Sequence, residues 1–206
     1  MNNQYQEKIF SIGSGIKSFV KLNIVLFLIV LMFFINYFAW NDDSKVSIFI
    51  FIIFSEPFII LYSTINCFKP YEKIKKIEFD KEQPKEWIAL SIVIIFLSLF
   101  SLIFLGANIP YPSTIIFLIL MTNFMVALYS VFFHPVAIGF YEANVYSEKS
   151  TVFDYIFKYI AIFFSGINYY VQITLLKLPL FINKLIAIVF VLLLLWQAFG
   201  VIGLFE

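Results

Sequence analysis

Five long apolar runs, at 22–40, 46–68, 87–109, 114–133 and 185–205, alternate with short polar connections along the chain. Each is close to the ~20 residues that a helix needs to cross a hydrocarbon core. A spanning segment must satisfy its own backbone, and in a run of this kind a helix does so. The pattern therefore predicts an all-α, polytopic transmembrane helical bundle, most simply of five spans with a range of four to six. It forms a single integral membrane domain over 1–206.

Two further stretches are amphipathic. Over 8–21, Ile9, Ile12, Ile16, Phe19 and Val20 fall on one side of a helix, with Ser11, Ser14, Lys17, Ser18 and Lys21 on the other. This predicts an N-terminal interfacial helix, although Gly13 and Gly15 lower its propensity. Over 153–178, Asp154, Lys158, Ala161, Ser165, Asn168 and Gln172 recur at steps of four and three, opposite Ile156, Ile160, Phe163, Phe164, Ile167 and Val171. This stretch is either an interfacial helix or a sixth crossing.

The longest charged stretch is 69–86, KPYEKIKKIEFDKEQPKE, with six lysines and five acids in eighteen residues. Lysine accumulates on the cytoplasmic side of membrane proteins. The lysines before the first span and those of 69–86 predict a cytoplasmic N-terminus and a cytoplasmic loop. The uncharged turn at 107–113, held by Pro110 and Pro112, is then external. With 153–178 lying at the surface, thirteen of the fourteen lysines are cytoplasmic and only Lys45 is external, so the surface placement is favoured. Asn41 and Asp42 after the first apolar run do not form a small-residue cleavage site, so that run is expected to remain as an anchor.

Composition agrees with this class. Of 206 residues, 62% are hydrophobic and 13% charged, against roughly 25% charged in soluble domains. The net charge of +1 gives no reason to expect nucleic acid as a direct partner. A single cysteine, Cys67, excludes an intrachain disulfide and a Cys-based metal cage. The absence of Arg and the excess of Phe, Ile, Asn and Lys resemble an AT-biased coding sequence. A bacterial cytoplasmic (inner) membrane is the expected location, with a mobile-element or phage-defence system as a setting.

Several polar residues inside the apolar runs are candidates for function. Glu56 sits near the midplane of the second span and is followed by Pro57, which removes one helical hydrogen bond and crowds the carbonyl of Ile53. A proton- or cation-sensitive gate is one reading. The other is a protonated acid hydrogen-bonded to Asn36, Asn123 or a tyrosine. Asn123, Ala127, Ser130 and His134 form a stripe able to hydrogen-bond across helices, and the small residues Ser91, Ser98, Ser101, Ala198, Gly200 and Gly203 mark helix contacts. His134 has no second ligand at metal spacing. Ser165, Asn168 and Gln172 would line a pore if their helix spans, or face water if it lies at the surface. In the loop, Ile74, Ile77 and Phe79 form an apolar strip among Lys73, Lys75 and Lys76, suited to docking a soluble protein.

Catalytic signatures are missing: there is no arginine clamp, glycine-rich phosphate loop or HExxH, and no nucleophile elbow. The expected function is non-enzymatic and without a cofactor. The chain would be a membrane subunit that contacts lipid, forms a homo-oligomer or binds a cytosolic protein, and anchors or signals within a larger assembly. The alternative is an oligomeric ion channel or small transporter gated around Glu56 and Pro57, and a weaker one is an organelle-encoded respiratory subunit.

Overall fold

The computed structural model describes residues 10–41, 44–68 and 84–205. These form six helices: α1 Ile12–Ile35, α2 Ser44–Phe68, α3 Pro84–Ser101, α4 Ser113–Val145, α5 Val152–Leu175 and α6 Leu180–Ile202. A 3-10 turn at Tyr37–Ala39 follows α1, and a 3-10 stretch, Leu102–Ala107, extends α3. Five of these segments are long and apolar enough to cross a membrane: α1, α2, α3 with its extension, α4 and α6. The chain is an all-helical, polytopic membrane protein.

Local chemistry sets the boundaries. Ser11 caps α1 by accepting from the Ser14 backbone N–H. From Ile12 the helix runs on unbroken, so 12–21 and the apolar run after it share one helix. Gly15 has a packing role: a Cβ there would lie 2.9 Å from the Ser63 carbonyl oxygen and collide with Cys67 Sγ. Its bare backbone lets α1 and α2 approach closely. Ser14 Oγ donates to the Asn66 carbonyl at 2.8 Å, and the Ser11 N–H donates to that of Cys67 at 3.0 Å. α3 begins with Pro84, a favourable first helical residue.

Helix contacts define two ends. At the loop end lie the start of α1, the end of α2 and the starts of α3 and α6. At the turn end, Asn36 Nδ2 donates to Pro110 O and to Ser113 Oγ, and Ser44 Oγ donates to Leu204 O. α6 runs antiparallel to α2, meeting it through Phe190 on Phe58, Gln197 on Ser55 and Gly203 on Ser47. Phe33, Phe51, Ile109, Phe190 and Val201 belong to the central core.

α4 has 33 residues, more than a crossing requires. It breaks at Phe133 (φ −123°, ψ 41°), two residues before Pro135. The part before the break is a span of about 20 residues. The remainder turns along α5, where Tyr141 stacks on Tyr169 with centroids 4.0 Å apart.

Both termini of α5 are tied to the loop end. Near its start, Lys158 meets Glu86 of α3 and Lys85 Nζ reaches Ser150 O; beyond its finish, Lys177 meets Asn66 of α2. Between them it packs within the bundle: Tyr159 clusters with Val93 and Leu97 of α3 and Leu118 of α4, and its middle reaches Asn123, halfway along the α4 span. Its polar side does not face water. Lys158, Ala161, Asn168 and Gln172 are buried, whereas Phe153 and Phe157 point outward. In apolar surroundings polar groups gain by pairing with each other, and phenylalanine is the cheaper group to expose. Lys17, Lys21, Lys85, Lys149, Lys158, Lys177 and Lys184 lie on elements at the loop end, and Lys45 is at the turn end.

Candidate functional site

The two polar stripes seen in the sequence meet each other. Asn123 Nδ2 donates to its own-helix carbonyl at Ile119 and to Phe163 O on α5, both at 2.9 Å. Its Oδ1 accepts from the Asn168 backbone N–H at 3.2 Å. Asn168 Nδ2 donates to Ser130 Oγ at 2.8 Å, and Gln172 Nε2 donates to Asn168 Oδ1 at 3.4 Å. Fully buried Ala127 lets the backbones approach between these rungs. The Gln172 Oε1 atom is buried with no hydrogen bond among the described residues. Ser165 stands apart. It donates to Ala161 O of its own helix and lines an apolar groove with Met125, Tyr129 and Phe140.

At the start of α5 is a buried ion pair. Lys158 Nζ lies 2.8 Å from Glu86 Oε1, and both side chains are about 5% exposed. Tyr159 Oη donates to the same oxygen at 2.8 Å. Lys158 also sits over the Tyr155 and Tyr159 rings, at 5.6 and 5.7 Å from their centroids. Burial, followed by the hydrogen bond to Glu86, raises the Tyr159 pKa above its ordinary value. Glu86 Oε2 is buried without a hydrogen bond among the described residues. A capping box between Thr151 and Asp154 fixes the first turn of α5.

His134 lies just beyond the break in α4, with Nδ1 3.3 Å from Lys184 Nζ of α6. Lys184 also donates to the carbonyl oxygen of Val131. At the other end of α5, Lys177 Nζ donates to Asn66 Oδ1 at 2.8 Å, and Asn66 Nδ2 reaches Ser18 Oγ of α1 at 3.3 Å.

Glu56 has neither kind of setting. It is half-buried on α2 and makes no hydrogen bond among the described residues. Asn36 and Asn123 are engaged elsewhere. α2 passes through Pro57 without a non-helical residue, and the groove beside Pro57 is apolar, lined by Phe54, Phe58, Leu193 and Trp196. Of the small residues, Ser101 bonds Thr114 and is buried, Ala198 is buried, and Gly200 and Gly203 lie against Phe51 and Ser47. Ser91 faces outward. Lys73, Ile74, Lys75, Lys76, Ile77 and Phe79 lie outside the described residues.

No family model, no curated protein and no solved structure matches the chain.

Sequence reasoning missed the Glu86–Lys158–Tyr159 cluster because Glu86 reads as the last charge of a solvated loop. Two signals pointed to it. Pro84 at a helix start places Glu86 inside the first turn, and Lys158 belongs to the polar stripe of α5 rather than to its flank.

Proposed function

We propose that the chain is a non-enzymatic membrane subunit that recruits a cytosolic protein through 69–83 and passes the state of that loop to α5. The observation that carries this reading is the buried Glu86–Lys158 pair. Glu86 lies three residues beyond Gln83, so any force on the loop meets an α3–α5 contact whose rupture would strand a charge. From Lys158 the same helix continues to Asn168, Gln172 and the Lys177–Asn66 contact. α5 thus links the loop to α4, α2 and α1. The lysines at the loop end support a cytoplasmic placement of that end in a bacterial inner membrane. A pore within one chain has less support, because Ser165 opens on an apolar groove while Asn168 and Gln172 are buried and bonded to each other and to α4.

The test replaces Ile74, Ile77 and Phe79 together by Ser, followed by pull-down in mild detergent and mass determination of what co-purifies. Loss of a stoichiometric cytosolic protein, with membrane insertion intact, is the expected result. Unchanged co-purification would reduce the loop to a topology device.

A further inference from the structure

The residues Val46, Phe49, Ile53, Glu56, Ile60 and Thr64 follow one another along α2 at steps of three and four. This is the spacing of a helix–helix seam. Four of them are apolar and open to the surroundings, at 56%, 63%, 48% and 53% exposure for Val46, Phe49, Ile53 and Ile60. Thr64 is exposed and bonds only its own helix. Glu56 stands in the middle, twelve residues after Ser44 and twelve before Phe68, hence near the membrane midplane. A carboxyl at that depth carries a cost that interior-facing partners normally offset, and no group of the described chain bonds to it.

We propose that this seam is the contact between two copies of the chain, with Glu56 of one copy hydrogen-bonded to Glu56 of the other. The self-pairing follows from membrane geometry. Copies inserted in one direction carry each residue at the same depth, so a two-fold axis along the membrane normal brings like to like. Two neutral carboxyls each offer one O–H donor and one carbonyl acceptor, and together they satisfy both. A lipid chain can cover Phe49, Ile53 and Ile60, but it offers the carboxyl nothing. A polar residue within an otherwise apolar seam also fixes register. This inference needs only the membrane placement of α2, and it stands or falls apart from the recruiting role of the loop.

The experiment uses the full chain with Cys67→Ala, reconstituted in lipid vesicles at increasing dilution, and disulfide formation under mild oxidation. Ile53→Cys and Ile60→Cys should give dimers that persist on dilution. Ile95→Cys on α3, of similar exposure, should not. Adding Glu56→Gln should preserve the dimer, since an amide pair is also reciprocal. Glu56→Leu should weaken it about tenfold, the scale of one interhelical hydrogen bond in lipid. Leucine suits a lipid-facing position, so the helical circular dichroism and thermal stability of the monomer should be unchanged. The proposal is overturned by equal cross-linking at Ile95, by dimers insensitive to Glu56→Leu, or by a monomeric protein at every dilution. It is also overturned if Glu56→Gln acts like Glu56→Leu, which would mean an ionised carboxylate facing a cation of another protein.

Discussion

Lys184 on α6 supplies the donor that Pro135 takes away from Val131 on α4. Proline lacks an N–H and crowds the carbonyl four residues earlier, which here is that of Val131. The Lys184 ammonium donates to this oxygen across the helix interface and also approaches His134. A break in one helix is thereby made into an interhelical contact.

Lys184→Met should therefore destabilise the bundle by about 1 kcal/mol, the scale of a hydrogen bond lost at a half-buried acceptor. In a Pro135→Ala background the residue at 135 can donate to Val131, and the same substitution should cost clearly less. Denaturant titration of the four proteins in detergent measures this coupling. Additive effects would separate Lys184 from the break.

The Glu86–Lys158 pair should show a similar asymmetry. Glu86→Leu or Lys158→Met alone leaves a buried charge and should cost about 3–5 kcal/mol, whereas the double substitution should recover most of the loss. Thermal unfolding of the single and double variants gives the coupling directly.

Asp154 predicts a pH effect confined to the start of α5. The backbone N–H groups of Thr151 and Ser150 hold its carboxyl down at about 2, below the ~3.9 of an unfolded chain. A depressed folded pKa means that the cap's contribution is complete above the unfolded value and is lost as pH falls through about 2. Amide exchange of Thr151 and Ser150 should stay slow down to pH near 3 and rise below it. Asp154→Asn should abolish the dependence. A carboxyl midpoint near 4 by carbon NMR would contradict the capping geometry.

The existence of the spans was legible because apolar run length is a strong signal; their boundaries were less so, since α1 runs from Ile12 to Ile35 as one helix and α4 continues past its break to Val145. The polar stripes of α4 and α5 were legible too, since Asn123, Ser130, Asn168 and Gln172 stand out against apolar neighbours. Their meeting was not legible, because periodicity gives the face of a helix and not what that face touches. The direction of the α5 polar side was misjudged for a related reason. An amphipathic helix beside water turns its polar side outward, but one packed among lipid-facing helices turns it in. Pro135 was recognisable as a breaker, whereas Lys184, its remedy, lies 49 residues further along the chain and carries no local mark.

Sidedness can be read with single cysteines in a Cys67→Ala background. Ser44 and Ser113 are fully buried and hydrogen-bonded, so the reporters belong at the exposed Phe38 and Tyr111. Phe38→Cys and Tyr111→Cys should react with an impermeant maleimide in intact cells, and the exposed Glu148→Cys only after lysis. The opposite pattern would invert the protein in the membrane.

With α1, α2, α3, α4 and α6 taken as the crossings and α5 returning to the end from which it starts, the proposed topology has an odd number of spans. In that topology Ser11 and Phe205 lie in different compartments. With 69–83 on the cytoplasmic side, as proposed, the connections to be carried through the bilayer include 36–43 and 107–112, neither of which contains a lysine. The connections 69–83, with five lysines, and 146–151, with one, then need never leave the side on which they are made. A translocation machine thus meets little resistance from this chain, and a reporter enzyme fused after Phe205 would work in the compartment opposite to one placed at Glu148.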